Sequence, residues 1–201
     1  MSISTKILGA AAAIAMTALA APAAYAATVF NLGGSSTEAS SFAYSVDGIG
    51  LTVTGERNFF GWDDVDVTRR TGGLGVTGFL DTSSALDGQI DERLTFSFDQ
   101  NVKMMSIMFT AYDDNDPYDI YVDSGAGLTL ITGDSNANPY LFSPFLTGDT
   151  LRIAVDGNAS AFRVSSMTVA AVPLPAAGWL MIAGLGGLGA LRRRRKNAAA
   201  A

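Results

Sequence analysis

The chain has 201 residues and a formal net charge of −6, with no cysteine and no histidine. That excludes disulfides, zinc–thiolate sites, cysteine nucleophiles and a Ser-His-Asp triad, and removes the usual general base and transition-metal ligand at neutral pH. The charge is uneven: all 19 acidic residues lie from Glu38 to Asp156, while Lys6, Arg192, Arg193, Arg194, Arg195 and Lys196 take six of the 13 basic ones to the ends, leaving the middle at −12.

A surface of that sign repels phosphate backbones, so nucleic acid is not an expected partner. It suits solubility outside a cell, and it can hold hard cations.

Residues 1–26 read as a secretory signal peptide. Lys6 supplies the positive start, residues 7–19 form an apolar run, Pro22 breaks it, and Ala24, Tyr25 and Ala26 make a small-x-small cleavage site. The expected partner is signal peptidase; the alternative is an uncleaved N-terminal anchor.

Residues 27–171 are expected to form one acidic domain, long enough to bury about 70% of its unfolded surface. No sustained 3.6-residue period appears there. Short β-like runs occupy 28–32, 42–46, 51–54, 74–79, 94–98, 102–111, 120–122, 128–131, 151–155 and 162–169, separated by Gly, Asp, Asn, Ser and Pro. Strict alternation puts Leu94, Phe96 and Phe98 on one face, whereas 102–111 reads as buried on both. Arg152 and Arg163 fall on solvent-facing positions. The spacing predicts an all-β fold, an antiparallel jelly-roll-like β-sandwich flanked by an N-terminal signal helix and a C-terminal transmembrane helix.

Three polar patches interrupt the strands. Asp63, Asp64 and Asp66 stand beside Phe59, Phe60 and Trp62. A ring that stacks on a sugar and carboxylates that accept its hydroxyls make Trp62 a candidate carbohydrate contact, with Phe59 and Phe60 assigned to the core. Asp81, Asp87, Asp91 and Glu92 form an acidic loop. Asp113, Asp114, Asn115, Asp116, Asp119 and Asp123 form another, rich in the oxygen donors calcium takes, so calcium is the one cofactor suggested. The second cluster is not an EF-hand, because Pro117 and Tyr118 stand where a Gly turn and further ligands belong. Solvated loops are the plain alternative for both.

At the far end, Val172, Pro173, Leu174, Pro175 and Ala176 precede an uncharged stretch that runs to Leu191, followed by Arg192, Arg193, Arg194, Arg195 and Lys196. As a helix, 174–191 would reach about 27 Å, close to a hydrocarbon core of about 30 Å. Its glycines weaken it, which suits a transient span, and the basic cluster is expected to stay cytoplasmic. Two prolines hold the motif extended, the form that enters a processing enzyme's groove.

Motif, apolar stretch and basic cluster in that order resemble a PEP-CTERM-type sorting signal in its VPLPA variant, over about 25 residues (172–196). The resemblance implies recognition by a membrane-embedded exosortase-type cysteine transpeptidase, often in bacteria that make extracellular polysaccharide. Residues 197–201 form a short tail beyond it, expected to be disordered. Gly73, Leu74, Gly75 and Val76, the Ile90, Asp91, Glu92 loop and the strand 94–98 also resemble domains found ahead of such tails, without assigning a site.

The expected product is an exported protein. It is held in the inner membrane as a precursor and then stands at the cell surface or outside the cell, with a non-catalytic domain that takes polysaccharide or calcium. The alternatives are a secreted glycan hydrolase working with carboxylates about 5–9 Å apart, and a permanently anchored surface protein.

Overall fold

The computed structural model describes residues 26–77, 83–113, 115–155, 161–172 and Gly184. Most of the signal segment, Asp81, Asp114, Pro173, Leu174, Pro175, Ala176, most of the apolar stretch and the basic cluster lie outside the described residues. Among the described residues no helix is long and apolar enough to cross a membrane.

The described chain is all-β and antiparallel. Its strands are β1 (Ala27–Asn31), β2 (Thr37–Ala39), β3 (Ser41–Val46), β4 (Ile49–Asn58), β5 (Trp62–Arg70), β6 (Gly73–Thr77), β7 (Leu86–Asp87), β8 (Glu92–Thr110), β9 (Tyr118–Asp123), β10 (Leu128–Ser135), β11 (Tyr140–Val155) and β12 (Ala161–Ala171). Each of the ten expected runs falls on a strand over most of its described residues, with Leu32 and Ala111 one position past a strand end and 78–79 outside the described residues. β2, β5, β7 and the first half of β11 were not foreseen, and 94–98 and 102–111 merge into one strand of 19 residues.

β8 is the spine. Its first half pairs with β4, Phe96 opposite Val53, and its second half pairs with β12, Phe109 opposite Val164. β4 pairs in turn with β5, β5 with β6, and β6 meets β12 at Leu74 and Val164. The described pairings therefore close a ring through β8, β4, β5, β6 and β12, joined between β6 and β12 by the single Leu74–Val164 bridge. β11 follows β8 along both halves and carries β9 and β10 outward. β1 covers the other flank of β12.

Alternation fills the interior. Leu94, Phe96, Phe98, Val102, Met104, Ile107 and Phe109 of β8 are buried against Leu51 and Val53 of β4, Val76 of β6, Leu151 and Ile153 of β11, and Val164 and Val169 of β12. Residues 102–111 are not buried on both faces as expected. Val102 and Met104 point inward, Met105 and Ser106 are both half-buried, and Ile107 and Phe109 point inward again while Met108 is exposed. The pairing registers with β11 and β12 both shift at this point, and the shift resets the phase of the alternation.

At one end Tyr118 is buried among Phe109, Tyr112, Tyr140 and Phe162. Its hydroxyl donates to the Ala137 carbonyl, and burial pushes its pKa up to about 12. At the β3–β4 turn Val46 faces Ile49 across Asp47 and Gly48, both at positive φ. Asp-Gly suits a two-residue turn of that hand, whose twist matches the strands it joins.

Candidate functional site

Period-2 alternation sends every second residue of β5, β4, β8, β11 and β9 away from the core, and directly paired residues share a face. Glu56 stands between Asp64 and Arg93, and Arg93 lies opposite Ala154. One rung further, Thr54, Thr95, Arg152 and Tyr121 line up across four strands. At the end of the β4–β5 hairpin Asn58 faces Trp62. The result is a polar sheet face with an indole at one end.

The charges on this face are clamped. Arg93 grips Glu56 with two hydrogen bonds, Nε to Oε2 at 2.9 Å and Nη2 to Oε1 at 2.7 Å. Arg152 Nη2 lies 3.5 Å from Glu56 Oε2, and its Nε donates to Thr95 Oγ1 at 3.1 Å. The Arg93 hydrogen bonds, aided by both guanidinium charges, hold the Glu56 carboxyl below the usual carboxylate range against the opposing pull of burial. Burial and the neighbouring Arg93 lower Arg152. The expectation that Arg152 and Arg163 face solvent holds for the direction of their strands but not for their state. Both are half-buried, and Arg163 Nη2 donates to Ser84 Oγ at 2.6 Å.

Trp62 joins this network through its ring. The Arg93 guanidinium sits 3.5 Å from the ring centroid, a cation–π contact that fixes the indole while leaving it 42% exposed. Beside it, the hairpin loop lifts Phe59 and Phe60 into solvent. Phe60 is 94% exposed and Phe59 45%, with ring centroids 4.5 Å apart in an edge-to-face pair. Their assignment to the core is corrected here. They occupy a three-residue tip between Asn58 and Trp62, where no second layer can cover them. Asp64 and Asp66, with Ser40, Thr54, Gly55 and Val65, line a hollow of about 220 Å³ alongside. Asp63 lies opposite Arg57, one step out of phase with Trp62.

The acidic loops are differently employed. Asp116 is buried; its Oδ1 accepts the Ala161 N–H at 2.9 Å and its Oδ2 the Asp113 N–H at 2.7 Å. Asp113 Oδ1 accepts from Asn115 N, and Asp119 accepts from Asp134 N and the Tyr121 hydroxyl. Asp123 Oδ1 accepts from both Gly125 N and Gly127 N. The bonds of Asp113 and Asp123 close local turns, whereas Asp116 ties the loop to the start of β12 and Asp119 ties β9 to β10; none is aimed at a common centre. Among the described residues no three acidic side chains gather to hold a metal ion. In the other loop, Asp87 and Glu92 are buried, and Glu92 Oε2 accepts the Asp87 N–H at 2.9 Å.

Sequence reasoning marked Trp62 and its carboxylates and missed Glu56, Arg93 and Arg152. Arg93 and Arg152 belong to different strands, and only the pairing register places both at Glu56.

No protein-family model matches the chain, and no curated protein matches it. Among solved structures it is similar to the family 32 CBM from C. perfringens NanJ, determined in complex with galactose. The two are 14% identical, the match covers 60% of this chain and 92% of that one, and the TM-score is 0.34.

Proposed function

We propose that the protein is an exported cell-surface or matrix protein whose β domain, a jelly-roll-like sandwich without catalytic activity, binds extracellular polysaccharide through the β4–β5 hairpin tip. The observation that carries the binding reading is the aromatic set Phe59, Phe60 and Trp62, exposed together on one hairpin. Exposing three large rings is unfavourable in water unless something covers them. The clamped Arg93–Glu56 pair makes Trp62 a rigid platform, and Asp64 and Asp66 beside it offer hydroxyl acceptors. A hydrolase is the weaker reading. A glycosidase general acid needs a raised pKa, whereas Glu56 at the centre of this face is driven the other way.

For export and sorting, the support is the signal-like start, the Val172, Pro173, Leu174, Pro175, Ala176 motif and the terminal cluster from Arg192 to Lys196. Val172 follows β12 directly, and Ala27 stands opposite Ala170 on β1 and β12. The two processing points therefore leave the domain at one edge, which suits signal peptidase and an exosortase-type enzyme both working at the inner membrane.

Two measurements test this. Mass spectrometry of the surface-exposed protein is expected to show a C-terminus within or near 172–176. A mature peptide still carrying Arg192 would mean permanent anchoring. Phe60→Ala is expected to weaken co-sedimentation with the cell's own extracellular polysaccharide at least about tenfold, about 1.4 kcal/mol, with an unchanged melting midpoint. Undiminished binding would remove the hairpin from the reading.

A further inference from the structure

A second exposed apolar surface lies away from the hairpin. Across β1, β12, β8 and β11 one rung reads Val29, Thr168, Ser106, Leu141. Next to it the β8–β11 register jumps from Ser106–Leu141 to Met104–Leu146, so residues 142–145 bulge out opposite Met105 alone. Phe142 turns inward as the floor, while Leu141 (65% exposed) and Phe145 (48% exposed) project. Together with Met105, Pro144 and Thr168 they form an apolar groove of about 560 Å³. In a strongly acidic domain, the charge set against this groove is a cation: Lys103 Nζ lies 4.8 Å from the Phe145 ring centroid.

The place of this surface in the fold says what covers it. Thr168 lies three residues before the end of β12, about 10 Å along the strand. Residues 172–176 add a tether of at most about 18 Å before the apolar stretch. Because Ala27 pairs with Ala170, the apolar run of the signal segment leaves from the same edge. The C-terminal apolar stretch, joined before signal cleavage by the N-terminal one, would thus hold this face beside whatever it enters, at high effective concentration.

We infer that in the membrane-anchored precursor this face rests on the bilayer. Leu141 and Phe145 enter the boundary between headgroups and acyl chains, and Lys103 meets anionic headgroups. Such a contact needs no deep insertion: a few apolar side chains and a cation suffice once a tether has removed most of the cost of association. It would hold 172–176 at the membrane surface, where a membrane-embedded enzyme reaches it. The inference rests on the anchored reading above and adds the surface by which the domain docks.

The chain has no cysteine, so single labels are clean. The full precursor is reconstituted in phosphatidylcholine vesicles with about one-third phosphatidylglycerol, carrying an environment-sensitive fluorophore at Phe145→Cys, Phe60→Cys or Ala183→Cys. The label at 145 is expected to shift to the blue and lose at least about half its emission to lipids spin-labelled at a shallow acyl position. The label at 60 is expected to do neither, and Lys103→Glu to reduce the quenching at 145. A label at 145 that stays in water overturns the inference. So does one that shifts to the blue without lipid quenching, since protein (the chain's own C-terminal segment or a second copy) would then cover the groove. An unquenched label at 183 is the separate failure: it sinks the anchored reading, and the docking with it.

Discussion

A Gly75→Val chain is expected to lose cooperative folding at ambient temperature, and Gly75→Ala to lose roughly 3–5 kcal/mol of the 5–15 that such domains possess. β6 runs beneath the segment that leads into β7, and a Cβ at Gly75 would sit 2.7 Å from the Ala85 Cα and closer still to the Ser84 carbonyl oxygen. Those are backbone atoms. They cannot rotate aside, and moving them drags Leu86 and Phe162 of the β7–β12 pair. Gly73, two residues earlier, meets β12 in the same way, with a Cβ placed 2.9 Å from the Ser165 Cα. The Gly-Leu-Gly-Val opening thus has a packing reason: the glycines let β6 approach closely while Leu74 and Val76 fill the core. Gly133→Ala is the control, because its new methyl meets nothing nearer than 3.4 Å. Thermal unfolding reads the difference: a fall of about 10 °C or more for Gly75→Ala, and within about 2 °C for Gly133→Ala. Equal midpoints would mean that the 84–85 segment yields and that β6 does not need its glycines for close approach.

Asp116→Ala is expected to cost about 2–4 kcal/mol, the second largest effect, although nothing catalytic is lost. The side chain is 3% exposed and serves two backbone donors, Ala161 N at the start of β12 and Asp113 N just beyond β8. Removing it leaves both N–H groups short of a partner where water enters poorly, and each orphan costs about 1–3 kcal/mol. Asp116→Asn keeps an acceptor for one donor and turns its NH2 toward the other, so an intermediate loss is expected. Chelator is the companion measurement. With the described carboxylates of 113–123 already accepting N–H and O–H bonds, EDTA is expected to leave the wild-type midpoint within about 1 °C, whereas a ligand bound only by the folded state would raise it. A calcium-dependent midpoint would restore the reading of 113–123 as a metal loop.

The strands that were legible share one property: one face is apolar and the other is not. Leu94, Phe96 and Phe98 announce β8 because water is excluded from one side of it only. β5 was silent because Asp63, Asp64 and Asp66 mask the inward Val65 and Val67, and the outward Trp62 breaks the pattern. The first half of β11 was silent because it bulges at 142–145 around Pro144, which has no N–H to give a ladder. Phe59 and Phe60 were misplaced because apolarity alone cannot distinguish a core position from a hairpin tip.

By itself the sequence determined the chemistry that is local. Legible in it were the all-β class, the cores of nine strands, the acidic middle, the absence of cysteine and histidine, and the order of motif, apolar stretch and basic cluster at the end. Each of these is a property of neighbours along the chain. Only the tertiary structure decided which distant residues meet: Glu56 with Arg93 and Arg152, Asp116 with Ala161, Ala27 with Ala170, and Val29 with Thr168, Ser106 and Leu141 in one rung across four strands. Strand register sets these meetings, and a shift of one residue would turn every such side chain to the other face.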